Sequence, residues 1–547
     1  MTIRLINPLP EYRDVLERIT NEDVVSRIWS HDYTVWDSSP EEIANRLGWL
    51  KLPCTMTSQV PRIATFAASI CAEGFTHAAL LGMGGSSLAP DILSRVFGSQ
   101  CGFLPLQILD TTHPQTVRQL AEDLAEEKSL FIVATKSGTT SETLALFRFF
   151  YQRVAHALGS DEAGSRFIAI TDPGTPLVKL ASQYAFREVF LNDPDLGGRY
   201  SALSLFGLVP AALLGLDVDA LLYEAQSVAS QCAPAMPIAK NPASQLGLFL
   251  GTCALAGLDK ATLLLSKKIS PLGDWIEQLL AESTGKGGKG IVPIIETLPE
   301  RTKSWSHDRV FVAIRLGEDS EQDAIVDALA EQGRPVMQIS LDAVSEVAGQ
   351  FYLWEFATAI ACHILGVHPF NQPDVESAKQ LARTMAEESR QTGQRPQLES
   401  KTLSVSDMRA FLIDVRPSDY VGIHAYLPPT QDLTDALHVL QAAIRDHYGV
   451  AVTVGYGPRF LHSTGQLHKG DRGNGRFLQL VSASMPLVDI PDSPDSQTSS
   501  LGFGALIIAQ AAGDCAALEN SCRPVVTFRV AADASESIRD IAMALGS

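Results

Sequence analysis

The sequence predicts an α/β protein built from doubly wound parallel sheets. One sign is the regular alternation of short apolar runs with amphipathic stretches; the other is glycine- and hydroxyl-rich turns where a run gives way to a helix. Runs at 78–81, 104–109, 130–134, 167–170 and 187–191 read as buried strands, because parallel strands covered on both faces are apolar throughout. PQTVRQLAEDLAEEK and SETLALFRFFYQRVAHAL, lying between them, read as helices. A second block repeats the style at 261–266, 290–295, 309–316 and 335–340, with DWIEQLLAES as one of its helices.

Residues 1–60 are polar and lean to helix, and are expected to form an N-terminal helical extension. A first doubly wound domain is expected over 61–225 and a second over 226–385. Residues 386–406 are polar without a hydrophobic period and read as a linker. A C-terminal α/β block follows over 407–547. There 420–456 runs strand, helix, strand, echoing 309–341, so the block reads as a candidate duplicated module.

At 547 residues the chain exceeds one compact domain, and its 46% apolar and 19% charged residues are ordinary for a globular protein. A net charge of −19 argues against nucleic acid or an anionic membrane as the partner, while leaving room for a local positive pocket. The first residues lack the apolar core of a secretory signal, and no run reaches membrane-spanning length. The eight cysteines contain no CxxC pair, and HExxH is absent. These features point to thiols in a reducing cytoplasm and to no metal site.

ALLGMGGSSLAP at 79–90 reads as a turn whose backbone approaches a phosphate, and three ligands compete for it. A triphosphate loop needs G-x-x-x-x-G-K-[ST], which no window supplies. A dinucleotide turn fits Gly82, Gly84 and the distant Asp110, but puts Ser87 where the third glycine belongs. A sugar phosphate predicts a second hydroxyl-rich turn after another strand, and ATKSGTTSET provides Thr135, Ser137, Thr139, Thr140 and Ser141. The bland reading of Thr139–Glu142 is a helix cap. Two such turns in one sheet favour the phosphate monoester, and Ser87 then reads as part of its cradle. Arg199 after two glycines can reach an oxyanion, and Glu282 ends an amphipathic helix at a glycine-rich loop.

GMGGSSLAP, ATKSGTTSET, GGRYS, EQLLAESTGKGGKG and HPFNQPDVESAK together resemble the glucose-6-phosphate isomerase family, over about residues 75–385. IWSHDYTVW…ANRLGWL and GYGPRFLHSTGQLHKG further resemble the isomerase half of transaldolase/glucose-6-phosphate isomerase fusions, with no transaldolase half ahead of it. The resemblance implies two sugar-isomerase (SIS) domains, αβα sandwiches, and cofactor-free conversion of D-glucose 6-phosphate to D-fructose 6-phosphate in glycolysis and gluconeogenesis. It implies that Ser86, Thr135, Ser137 and Thr140 hold the phosphate, with Gly85, Lys136 and Gly198 beside it. It makes Glu282 the base that carries a proton from C2 to C1 through a cis-enediolate, and Arg199 the enediolate's cation. Gln372 and Lys379 fall near the sugar ring, the lysine assisting ring opening.

Two departures stand out. The family's ring-opening histidine lies between the glutamate and the lysine segment, where this chain offers only His307, His363 and His368 in unexpected settings. His462 in LHSTGQ is the best match if the C-terminal block folds back, and His468 in LHKG is the second candidate for that role, expected in either case to contact substrate. Asp374 stands where the family usually has glycine, and DRGNGR at 471–476 carries no assignment. Competing functions are a non-catalytic SIS-type sugar-phosphate sensor and an NAD(P)-dependent oxidoreductase. Mannose 6-phosphate remains a further substrate to test, and a homodimer is one assembly open to the chain.

Overall fold

The computed structural model describes residues 1–296, 305–394, 396–531 and 533–546. Strand β1 (Thr2–Ile6) opens the chain, and short helices fill most of the stretch up to Ala72. The first sheet comprises β2 (His77–Gly82), β3 (Leu106–Leu109), β4 (Ser129–Ala134), β5 (Phe167–Thr171) and β6 (Glu188–Leu191). All five run parallel in the order β3-β2-β4-β5-β6. Every residue of β4 is buried, as a strand covered on both faces requires.

The second sheet contains β7 (Lys260–Leu265), β8 (Val292–Ile295), β9 (Arg309–Leu316) and β10 (Val336–Leu341) in parallel. Its order is β1-β10-β9-β7-β8, with β1 added antiparallel at the edge through Thr2↔Ser340. The N-terminal stretch therefore includes a strand, contrary to the purely helical reading. TIRLI alternates in exposure along that edge, a period too short to register beside the helices that follow.

The third sheet gathers β11 (Lys401–Thr402), β12 (Tyr420–Tyr426), β13 (Ala451–Tyr456), β14 (Gly475–Ser482) and, beyond the small hairpin β15 (Asp489–Ile490) and β16 (Leu501–Gly502), β17 (Val525–Val530). Its order is β11-β17-β14-β12-β13, all parallel. The expected doubly wound parallel sheets are thus present, and there are three. In each, the first strand of the unit lies between the second and the third. The two segments that echo in sequence hold different places, β9–β10 ending one winding and β12–β13 beginning another. What recurs is the winding order.

Residues 386–392, read as linker, continue the helix Glu376–Thr392. This helix lies against Phe503–Asn520 so closely that a Cβ on Gly513 would come 2.8 Å from Ala382 N and 3.0 Å from Ala378 O. Small residues on that face, rather than large apolar ones, hide its period.

The largest core lies around the first two sheets, with Leu80, Ile132, Phe206, Leu263 and Phe356 among its members. A separate core, including Val421, Leu437, Leu478 and Ile538, fills the third sheet and its helices. Arg309 of β9 joins the second and third sheets, bonding Glu296 Oε1 at 2.9 Å and Val450 O at 3.3 Å, while Arg445 meets Glu296 Oε2 at 3.3 Å. Among the described residues no helix is long and apolar enough to cross a membrane.

Candidate active site

In an open parallel sheet the ligand crevice lies outside the carboxyl ends of the strands where the winding reverses. In the first sheet that point falls between β2 and β4, whose ends are paired at Gly82↔Ala134. The two turns singled out in the sequence emerge there side by side. They line a cavity of about 790 Å³. Each precedes a helix, Leu88–Phe97 and Ser141–Leu158, so N-terminal amides and dipoles add to the hydroxyls as an anion cradle.

Gly85, Ser86, Ser137, Thr139 and Thr140 face the cavity. Thr135 lies beneath it, its hydroxyl 2.8 Å from that of Thr140, and acts on the turn rather than on the cavity. Lys136 lines the wall with its ammonium 2.5 Å from Asp172 Oδ2. Ser87 is buried below the turn, bonding Gly84 O at 3.2 Å and Asp110 Oδ2 at 3.3 Å. It therefore supports the loop and is not part of the cradle surface. A Cβ on Gly85 would lie 2.1 Å from Gly198 O, so the first turn and the Gly198–Tyr200 turn are in direct backbone contact.

That contact brings Arg199 to the cavity. Its guanidinium is buried and fully engaged: Nε donates to Ser283 Oγ at 2.8 Å, and Nη2 donates to Pro369 O at 2.6 Å and Asn371 O at 3.0 Å. Nη1 stands 3.2 Å from Glu282 Oε1. Glu282 occupies the last turn of the helix Leu272–Thr284, where its side chain emerges at the cavity wall. Its second oxygen accepts from Gln278 Nε2 at 3.2 Å, and the same Nε2 lies 2.7 Å from His462 O.

His462 comes from the third sheet. The loop after β13 crosses to the first sheet and forms a short helical turn, Arg459–His462. Arg459 pins it between Asp91 at 3.1 Å, Asp110 at 3.3 Å and Asp274 at 3.6 Å. His462 thereby reaches the cavity with Nε2 3.0 Å from Glu142 Oε1. Gln510 donates to that same oxygen at 2.8 Å, and Ser141 donates to Oε2 at 2.9 Å. Burial pushes the Glu142 carboxyl upward, but the charge and hydrogen bond of His462 outweigh it and hold the group at about 2.

Gln372 and Lys379, before and on the helix Glu376–Thr392, also line the cavity. His468 does not. It is buried in the third sheet's layer, its Nδ1 3.1 Å from His424 Nε2 and its ring centroid 4.9 Å from that of Phe477. Burial drives its pKa well down, and the expected substrate contact is absent because its short helix turns that face inward. Asp374 is held by Gln466, which donates to Oδ2 at 2.5 Å and to Gly285 O at 2.9 Å. The Asp374 carboxylate thus ties the lysine segment to the His462 loop. In DRGNGR, Asp471 accepts from Tyr420 at 2.8 Å and pairs with Arg523 at 3.0 Å, a structural turn into β14.

Three residues at this site were not picked out from the sequence. Glu142 looked like a cap, yet no side-chain capping bond forms at that helix start. Gln278 sits one turn before Glu282, and that spacing could have flagged it. Gln510 comes from the far end of the chain and had no local marker. Among the described residues no three His, Cys, Asp or Glu side chains converge as a metal-holding group.

Comparison with known proteins gives concordant results. A family model described as Phosphoglucose isomerase matches residues 66–292. A protein of Haloarcula marismortui named probable glucose-6-phosphate isomerase is 28% identical over 341 residues, 56% of this chain and 77% of that one. A glucose-6-phosphate isomerase of Rubrobacter xylanophilus is 27% identical over 388 residues, 61% of this chain and 88% of its own length. The structure of a hypothetical protein from Thermus thermophilus superposes with a TM-score of 0.62 at 25% identity, covering 70% of this chain and 99% of that one. A glucose-6-phosphate isomerase from Chlamydia trachomatis shares the fold, with a TM-score of 0.51 at 18% identity over 66% of this chain and 77% of its own.

Proposed function

We propose that the chain is a member of the phosphoglucose isomerase family, whose model matches residues 66–292, and that it interconverts D-glucose 6-phosphate and D-fructose 6-phosphate at the cavity between β2 and β4. The observation that carries the assignment of roles is the meeting of Glu282, Arg199 and His462 on one cavity wall beside two hydroxyl-bearing turns. Ser86, Ser137 and Thr140 take the phosphate, with Thr135 fixing Thr140 from below.

Opening the hemiacetal moves a proton from O1 to O5. His462 handles it through Nδ1, since Nε2 is committed to Glu142, and Lys379 assists with its ammonium. Glu282 then removes the proton from C2, the C1–C2 double bond forms, and negative charge appears on O1. The guanidinium of Arg199 stands beside the carboxylate that is being neutralised. The charge that leaves Glu282 for O1 therefore stays next to the same cation, so the enediolate forms without a negative charge being left unpaired in the cavity. The hydroxyl proton passes from O2 to O1, Glu282 returns its proton to C1, and the ketose is complete.

The eight unpaired cysteines support a reducing compartment such as the cytoplasm. Glu282→Gln tests the reading. Turnover is expected to fall by about a thousandfold or more while fructose 6-phosphate binding by calorimetry is retained. Turnover close to wild type would overturn it.

A further inference from the structure

His368 is the one histidine adjoining the lysine segment, and both of its ring nitrogens are occupied within the fold. Nδ1 lies 3.1 Å from Phe370 N and 3.3 Å from Asn371 N, both of them donors. Nε2 lies 3.1 Å from Glu41 O, an acceptor. These partners require a neutral ring with its proton on Nε2. Such a ring has no free nitrogen for a sugar, so its role lies elsewhere. It ties off the turn 368–371, and that turn presents Pro369 O and Asn371 O to Arg199 Nη2. Lys286 Nζ closes the turn from the other side by donating to His368 O at 2.5 Å.

We infer that His368 is a positioning residue for the isomerisation: by accepting two backbone N–H groups at Nδ1 it folds the turn whose carbonyls set the Arg199 guanidinium beside Glu282. This rests on the reading of Arg199 as the enediolate's cation. A guanidinium is a rigid planar fork, so two carbonyls on Nη2 and a hydroxyl on Nε decide where Nη1 points. With the turn undone, only Ser283 and Glu282 itself would hold the fork, and nothing would fix Nη2. The phosphate turns belong to other elements and would be untouched. Facing His368 are Lys286, Asp37 and Glu42. Burial and Lys286 outweigh the carboxylates and the Glu41 carbonyl and keep the ring below its ordinary value, consistent with the tautomer that the contacts demand.

The test compares His368→Ala, His368→Gln and His368→Asn, each alone and with Arg199→Ala, by steady-state kinetics on fructose 6-phosphate and by inhibition with inorganic phosphate. Ala and Gln are expected to lower kcat about a hundredfold, the effect of an ångström-scale misplacement, with KM and the phosphate inhibition constant almost unchanged. Asn places an amide oxygen close to where Nδ1 stood and should restore kcat to within about tenfold of wild type. Added to Arg199→Ala, the His368→Ala change should cost less than about threefold, because the group it positions is gone. Wild-type kcat in His368→Ala, equal damage in Asn and Gln, or losses that multiply with Arg199→Ala would each overturn the inference. Should the Ala variant fail to fold, the Asn and Gln pair decides. Near-wild-type turnover in Arg199→Ala alone would instead overturn the role given to Arg199.

Discussion

Gly85→Ala is the sharpest probe of how the cavity is assembled. A methyl group there would meet Gly198 O at 2.1 Å, Gly198 C at 2.4 Å and Arg199 N at 3.1 Å, all of them backbone atoms with no rotamer to yield. Carbon contacts relax only at about 3.5 Å, so the phosphate turn and the Arg199 turn must separate by an ångström or more. The turn proposed to take the phosphate lies on one side of that seam and the Arg199 guanidinium on the other. The separation therefore misplaces the substrate relative to Arg199 and Glu282 without removing a single polar group. A shift of that size costs about a hundredfold in rate, or about 2.7 kcal/mol of transition-state stabilisation. Overpacking a buried contact costs a further 1–3 kcal/mol or so of stability.

The assay is kcat/KM with fructose 6-phosphate alongside thermal melting. Gly197→Ala serves as the control in the same segment, because its methyl would find nothing closer than Tyr200 at 3.6 Å. The expectation is a large loss in Gly85→Ala and less than about threefold in Gly197→Ala. Full activity in Gly85→Ala, with an unchanged melting temperature, would refute the claim that this backbone contact sets the geometry.

Other changes test the supports of the site. In Glu142→Gln the charge-assisted bond to His462 becomes a neutral one, and kcat should fall by tenfold to a hundredfold or so. Glu142 is held at about 2 in the fold against an ordinary 4.5, so its stabilisation is complete above the ordinary value and lost as pH falls through about 2. That contribution is about 3 kcal/mol, and the Gln variant should show a flatter melting profile between those pH values. Glu355 behaves oppositely: it is 0% exposed, and burial raises its pKa well above 4.5. It folds protonated, so stability is complete below 4.5 and declines by about 1.4 kcal/mol per pH unit as pH rises toward the folded value. Glu355→Gln should abolish that slope in melting curves. Arg459→Met takes the ion pair from buried Asp110 and leaves Asp91 and Asp274 to Arg95; it should cost about 2 kcal/mol, allowing for partial exposure, with kcat falling as His462 is released.

The parts of this molecule that could be read from sequence are those whose partners are local. Strands β2 and β4 are continuous apolar runs, and their following turns carry glycine and hydroxyls within a few residues, so the fold class and the two turns that meet at the cavity were both visible. Glu282 and Arg199 sit in short segments with glycines at hand. The edge strand β1 was missed because its partner is β10, more than three hundred residues away. The helix through 386–392 was missed because its packing face is made of alanine and approaches a glycine.

The histidines show the limit most clearly. His462 and His468 lie six residues apart in one glycine-rich segment, and nothing local separates them. Three carboxylates from outside the third sheet capture Arg459 and turn His462 into the cavity, while His424 and Phe477 receive His468 within the third layer. Glu142 illustrates the same point from the other side. As a residue three after Thr139 it reads as a cap, and it becomes His462's partner only once a distant strand delivers that ring. The pair of hydroxyl-bearing turns is therefore a property of one sheet, whereas the His462 side of the cavity exists only as a contact between two.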